Sequence, residues 1–144
     1  MLTHKTVLIT GANGGLGTAL LKEALAHNAK KIYACVRDPQ KAQALTTLDP
    51  RIEVLPLVTT DLSSVQHLAS VVDSIDILIN NAGMGISGSI EEASDEEIQL
   101  QMGTNFMGTI HMASIKRCVS VPIDSWFSAA RLMILSSISV MLRT

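Results

Sequence analysis

The stretch that decides the fold is Thr10-Gly11-Ala12-Asn13-Gly14-Gly15-Leu16-Gly17. A short apolar run, residues 6–9, precedes it, and an apolar helical face of Leu16, Leu20, Ala24 and Leu25 follows. A strand, a glycine-rich turn and a helix in this order predict a phosphate site, because a helix N-terminus carries unpaired N–H groups and partial positive charge. A tight turn without a ligand would also favour glycine, so the turn alone leaves both readings open.

Composition predicts one globular domain over residues 1–144, with 47% hydrophobic and 17% charged residues. The net charge of −2 and the lack of a basic patch argue against nucleic-acid binding. No run is long enough for a membrane span or a signal peptide. The two cysteines, Cys35 and Cys118, lie far apart, so we expect a reducing, cytoplasmic location. The four histidines have no metal-ligand spacing with the cysteines or acids, so no metal is expected.

Strands and helices alternate along the chain. Strands are predicted at 6–9, 31–36, 52–57, 75–79 and 132–135. Helices are predicted after Gly17, from Asp38-Pro39 through Leu45, from Asp61, and from Ser94 past His111. This alternation predicts a parallel sheet with helices on both faces, whose ligands bind at the carboxyl ends of the strands.

Five motifs follow the ends of predicted strands or lie on the long fourth helix. They are Thr10-Gly11-x-x-x-Gly15-x-Gly17, Asp61, Asn80-Asn81-Ala82-Gly83, Asn105 and Ser136-Ser137. With these motifs in this order, nearly the whole chain resembles the short-chain dehydrogenase/reductase family. The resemblance implies a Rossmann-type three-layer α/β/α fold with a mostly parallel sheet in the order 3-2-1-4-5. It also implies a nicotinamide dinucleotide cofactor, a small-molecule carbonyl or alcohol substrate, and homo-oligomerisation as an open option.

The same resemblance implies roles for individual residues. Those expected at the cofactor are Thr10, Gly11, Asn13, Gly15, Leu16, Gly17, Asp61, Leu62, Asn81, Ala82 and Gly83. Within this set, the glycines of the turn would shape the pyrophosphate cradle, and Asp61 and Leu62 would flank the adenine. Two further residues are expected to be catalytic: Ser137 would hydrogen-bond the substrate carbonyl, and Asn105 would help to hold a water.

The end of the second strand separates NADP from NAD. Arg37 follows that strand directly, and a guanidinium grips a 2′-phosphate through charge-assisted hydrogen bonds. We therefore expect NADP, with NAD as the alternative if Asp38 instead accepts from the ribose hydroxyls. A third reading makes Arg37 a solvated side chain and Asp38 a helix cap.

The family's acid/base is absent from these residues. That group is a tyrosine with a lysine four residues later, expected near position ~150. The only tyrosine, Tyr33, lies in the second strand, where we expect a structural role. We therefore expect an incomplete chain from an NADP(H)-dependent oxidoreductase that is inactive alone. The alternatives are a non-catalytic dinucleotide-binding or interaction module and a fragment without function.

Overall fold

The computed structural model describes residues 2–86, 91–115 and 139–142, the last four by their backbone alone. Five strands form one sheet in the order β3-β2-β1-β4-β5. They are β1 (Thr6–Thr10), β2 (Lys31–Val36), β3 (Ile52–Pro56), β4 (Ile77–Asn80) and β5 (Ser139–Leu142). The first four strands run parallel, as predicted, and the α/β fold and the order 3-2-1-4 of these strands are confirmed.

Helices connect the parallel strands. They are α1 (Gly15–Ala26), α2 (Gln43–Thr46), α3 (Leu62–Val71), α4 (Asp95–Met102) and α5 (Gly108–Ala113). A 3-10 turn, Pro39–Ala42, leads into α2, and Asp38 caps that turn by accepting from the Gln40 amide at 3.0 Å. Within the described ranges, no helix has the length and apolar character needed to cross a bilayer.

The sheet carries a hydrophobic cluster on each face, which makes three layers. On one face, Val7 and Ile9 pack with α1 and α2. On the other, Leu8 and Tyr33 pack with α3 and α5. Adjacent residues of β1 point to opposite clusters because strand side chains alternate. This two-sided burial explains why β1 is apolar throughout its core positions rather than alternating with polar residues.

Tyr33 and Cys35 belong to the second cluster. Tyr33 is 1% exposed, and its hydroxyl accepts a hydrogen bond from the Asp73 amide at 3.3 Å. This environment agrees with the structural role expected for Tyr33. The Cys35 thiol is fully buried, and burial raises its pKa far above the ordinary value. The Cys35 carbonyl accepts a hydrogen bond from the Ala12 amide at 3.2 Å, so this strand also supports the glycine-rich turn.

The inward face of α1 differs from the predicted one. Leu16 is 53% exposed, whereas the buried positions are Gly17, Leu21 and Ala24. Leu20 and Leu25 are only partly buried beside this stripe. The prediction was wrong at Leu16 because an apolar pattern gives no weight to glycine, and Gly17 is the residue that lies against the turn.

A strand that was not predicted lies beside β4. β5 is formed by Ser139–Leu142 and runs antiparallel to β4, an arrangement that is common in mixed sheets. The predicted strand at 132–135 and the serines Ser136 and Ser137 lie outside the described residues, so those expectations remain predictions.

The long fourth helix is interrupted. A π-helical turn, Gly103–Met107, separates α4 from α5, and α5 ends at Ala113. Ser94 begins this helical segment with a capping box, in which its hydroxyl accepts from the Glu97 amide and the Glu97 side chain accepts from the Ser94 amide. The predicted helix start is confirmed. The π-helical turn was not predicted, and it contains Asn105.

Candidate cofactor site

The glycine-rich turn is closed by contacts among its own backbone atoms. Gly11 has φ +64°, and a Cβ there would lie 3.0 Å from the Ala82 Cα, so the position favours glycine. A Cβ at Gly17 would overlap the Gly11 carbonyl oxygen and lie 2.8 Å from the Ala12 Cα. Gly11 is therefore required by its positive φ and by the approach of Ala82, and Gly17 by close backbone approach within the turn.

The N-terminus of α1 is open. Gly14 is the N-cap residue, and no side chain caps the first N–H groups. A Cβ at Gly15 would meet no atom of the described residues within 4 Å, and Asn13 and Leu16 are exposed beside it. Free N–H groups at a helix N-terminus attract anions through hydrogen bonding and the helix dipole. The geometry therefore leaves room for a phosphate against the first turn of α1.

Thr10 joins the ends of β1 and β4. Its hydroxyl oxygen accepts hydrogen bonds from the Asn81 and Ala82 amides, both at 2.9 Å. The Asn81 side chain returns the contact, donating to the carbonyls of Thr10 at 2.9 Å and Gly11 at 3.1 Å. These reciprocal bonds place Asn81 and Ala82 directly beside the glycine-rich turn, at the carboxyl edge of the sheet.

The segment after β4, residues 81–86, which we call the β4 loop, is fastened to the helix that follows it. The Asn105 amide contacts the Met84 backbone twice, accepting from its N–H at 2.8 Å and donating to its carbonyl at 2.7 Å. Gln101 accepts from the Ile86 amide at 2.9 Å. Gly83, between Ala82 and Met84, is exposed. The Asn105 side chain is therefore bonded to the loop backbone. Its predicted role in holding a water stays a prediction.

The segment after β3, residues 57–61, which we call the β3 loop, leads to Asp61 and Leu62. Asp61 is the N-cap of α3, and its carboxylate accepts from the Ser63 amide at 2.9 Å and the Ser63 hydroxyl at 2.6 Å. These hydrogen bonds hold the pKa of Asp61 below its ordinary value of 3.8. Leu62 is 54% exposed at the same helix start, so both residues lie at the surface beyond the strand end.

Arg37 and Asp38 have different surroundings after β2. Arg37 is exposed and makes no hydrogen bond or ion pair with any described residue. Asp38 caps the 3-10 turn through one carboxylate oxygen, and its other oxygen lies 3.6 Å from the Lys41 ammonium nitrogen. The carboxylate is thus engaged on both sides, while the guanidinium is available. Across the described part of the chain, no group of His, Cys, Asp and Glu is arranged to hold a metal ion.

Two contacts with this site were missed by sequence reasoning. Gln101 supports the β4 loop, and His111 contacts the Thr59 carbonyl of the β3 loop at 3.0 Å from its Nδ1. Both side chains bond to backbone atoms, which a sequence does not display. The only available signal was the spacing of Gln101 four residues before Asn105, which puts both amides on one helix face. Ser137, the remaining predicted site residue, lies outside the described residues.

Comparisons with known proteins agree with this arrangement. The family model for short chain dehydrogenases matches residues 5–119. A 3-ketodihydrosphingosine reductase of Bacteroides thetaiotaomicron is 36% identical over 110 residues, which make up 74% of this chain and 38% of that protein. The chain thus spans about two-fifths of the length of the curated relatives it matches.

Solved structures show the same fold. An NADPH-bound carbonyl reductase from chicken fatty liver aligns with a TM-score of 0.73 at 27% identity, over 80% of this chain and 48% of that one. A short chain dehydrogenase from Burkholderia cenocepacia, in complex with NADP, aligns with a TM-score of 0.72 at 33% identity over the same shares. With its glycine-rich turn, its parallel sheet and this matched segment, the chain belongs to the short-chain dehydrogenase family.

Proposed function

We propose that residues 1–144 form the NADP(H)-binding part of an oxidoreductase that moves a hydride between nicotinamide and a carbonyl or secondary alcohol. The observation that carries the proposal is the open N-terminus of α1 beside the Thr10–Asn81 contacts, with Arg37 exposed after the neighbouring strand and bonded to no residue that the structure describes. The NADPH- and NADP-bound neighbours support the choice of cofactor.

The residues present fit a dinucleotide. Gly11 and Gly17 keep side-chain atoms out of the turn, and Gly15 leaves open space above the first turn of α1. Backbone N–H groups there, with Asn13 and Leu16 beside them, would bind the pyrophosphate. Asn81, Ala82 and Gly83 would line the nicotinamide side, and Asp61 and Leu62 the adenine side. When bound, the cofactor supplies or accepts the hydride.

Arg37 is proposed as the ligand of the 2′-phosphate. A guanidinium without an internal partner loses no ion pair when it binds a phosphate, and its fork geometry suits two parallel hydrogen bonds. Asp38, by contrast, already accepts from the Gln40 amide and lies beside Lys41, so a ribose hydroxyl would share the carboxylate with these partners. These contacts favour NADP over NAD.

The cofactor proposal is tested by titrating the purified chain with NADPH and NADH and following nicotinamide fluorescence. We expect saturable binding with a preference for NADPH. Arg37→Asp should change the ratio of the NADPH and NADH affinities by about tenfold or more in favour of NADH, the equivalent of ~1.4 kcal/mol. Lys30→Asp makes the same charge change at the other end of β2 and should leave the ratio unaltered. An unchanged ratio in Arg37→Asp would remove Arg37 from this role, and no saturable binding would reject the whole proposal.

A non-catalytic role for residues 1–144 alone is the second candidate. The specific observation is that the sole tyrosine of the sequence is buried and bonded to the Asp73 amide, so these residues offer no tyrosine as acid/base. General acid–base catalysis is typically worth ~10²–10⁴-fold in rate. We expect the chain to bind NADPH without reducing aldehydes or ketones. NADPH oxidation that depends on an added carbonyl compound would contradict this expectation.

A further inference from the structure

One helical segment supports both loops that flank the candidate site. Residues 101–111, which run from the end of α4 through the π-helical turn into α5, hold the β4 loop through Gln101 and Asn105. The far end of the same segment contacts the β3 loop through Gly108 and His111. The second contact concerns the loop that carries Asp61.

Thr59 is the residue of the β3 loop that packs most closely against the helical segment 101–111. It is 8% exposed, and a Cβ at Gly108 would lie 2.6 Å from its Oγ1, so the helix backbone packs directly on this side chain. A Cβ at Gly103 would lie 3.7 Å from the neighbouring Thr60 Cγ2. Glycines on the helix thus allow the β3 loop to approach closely, and the packing of Thr59 and Thr60 against the helix determines the position of the loop.

His111 adds direction to this packing. Its Nδ1 lies 3.0 Å from the Thr59 carbonyl oxygen. A carbonyl can only accept a hydrogen bond, so Nδ1 carries the proton. The bonded carbonyl lies inside a turn that the Asp61 amide closes by donating to the Val58 carbonyl at 3.0 Å. The imidazole therefore orients the peptide unit two residues before Asp61.

We propose that His111 is a positioning residue for the adenosine half of the cofactor. By orienting the Thr59 carbonyl, it fixes the turn 58–61 and thereby the positions of Asp61 and Leu62, which begin α3. Among the described residues, no hydrogen bond joins His111 to Asp61 or Leu62, so the effect passes through the loop backbone. This inference rests on the proposed NADP(H) site and names the residue that shapes one half of it.

The test compares binding of the two halves of the dinucleotide. Variants of the full chain would be titrated calorimetrically with 2′,5′-ADP, which represents the adenosine half, and with reduced nicotinamide mononucleotide. His111→Phe keeps a ring of similar size and removes the donor, whereas His111→Asn places an amide N–H near the position of Nδ1. His67→Phe, at an exposed site on α3, is the matched control.

We expect His111→Phe to weaken 2′,5′-ADP binding about five- to tenfold, as for loss of one hydrogen bond, with the mononucleotide affinity unchanged. His111→Asn should restore 2′,5′-ADP binding to within about twofold of the original chain. Amide exchange at Asp61 should quicken in His111→Phe and return in His111→Asn, a readout that needs no ligand.

Different results separate the two proposals. If the original chain binds both fragments and His111→Phe either leaves 2′,5′-ADP binding unchanged or weakens both fragments equally, this inference is overturned and the cofactor site stands. If the original chain binds neither fragment, the proposed function fails and the positioning role fails with it.

Discussion

Helices α1 and α4 flank the candidate site and are held in place by different means. α1 buries Gly17, Leu21 and Ala24 against the sheet, whereas α4 buries none of its residues. The capping box at Ser94 stabilises the first turn of α4 from within, and the hydrogen bond from the Ile86 amide to Gln101 links the helix to the β4 loop. The comparison indicates that close packing holds the α1 side of the site in place, whereas individual hydrogen bonds hold the α4 side. The α4 side should therefore open first.

The largest loss of stability is expected from adding a methyl group at Gly17, where α1 packs most tightly. Gly17→Ala would drive a Cβ into the backbone of Gly11 and Ala12, which cannot move aside as a flexible side chain could. We expect a loss of roughly 3 kcal/mol in the free energy of unfolding, the upper end for overpacking. Urea unfolding of the purified chain measures it.

Gly15→Ala is the matched control for that change. It adds the same methyl group two residues away, where none of the residues that the structure describes lies within 4 Å, and alanine favours a helix by up to about 1 kcal/mol. Stability should be equal or slightly higher. If the two alanine variants were equally stable, close packing would not be what holds α1.

A smaller loss is expected where β1 and β4 meet. Thr10→Val keeps the shape of the side chain but removes the oxygen that accepts from the Asn81 and Ala82 amides. Both amides belong to half-buried residues, so we expect a cost of about 1 kcal/mol for each N–H left without its partner, about 2 kcal/mol in all. Thermal unfolding followed by circular dichroism measures this, and Thr10→Ser, which keeps the hydroxyl, should lose less than half as much.

A weaker and more local effect is expected at α4. Ser94→Ala removes the N-cap, at a cost of about 1 kcal/mol, and Ser94→Asp should preserve it. Amide exchange should quicken in the first turns of α4 while α1 keeps its protection. Equal loss of protection in both helices would show that α4 is not the separately anchored side.

The smallest change in stability is expected from protonation of Asp61, the N-cap of α3. Asp61 caps α3 from an exposed position, with its pKa held below 3.8 by hydrogen bonds from Ser63. Because the folded-state pKa is lowered, the stabilisation is complete above the unfolded-state value and is lost as pH falls through the folded-state value. Thermal midpoints between about pH 5 and pH 3 should fall less steeply in Asp61→Asn, which still caps but does not titrate. An identical slope would contradict this contribution.

Most of the parallel sheet could be predicted from sequence, because buried strands between glycine-rich turns leave a strong apolar signal. The need for glycine at Gly11 and Gly17 follows from the same turn chemistry, whereas the Thr10 contacts with the Asn81 and Ala82 amides depend on the fold. Leu16 was wrongly assigned to the buried face because a pattern of apolar residues overlooks glycine. Gln101 and His111 escaped notice because each bonds to a backbone atom brought near only by the fold.

The π-helical turn and β5 escaped notice for related reasons. A π-helical turn differs from an α-helix by one hydrogen-bond position and has no residue signature in Gly103–Met107. β5 is only four residues long and lies at the sheet edge, where the apolar signal is shortest. For Arg37 and Asp38, the sequence left two functional readings open, and the engagement of Asp38 with its own turn and with Lys41 now favours the arginine.

Burial of Cys35 on the face of β2 that α3 and α5 cover has a practical consequence. A thiol reagent can reach its Sγ only when the apolar cluster over this face opens, and the raised pKa leaves almost no thiolate while the cluster is closed. In a chain with Cys118 replaced by serine, the labelling rate would therefore report how often that cluster opens. Labelling of Cys35 thus measures that opening without an introduced probe, and a bound dinucleotide should slow the labelling in proportion to the affinity of the dinucleotide.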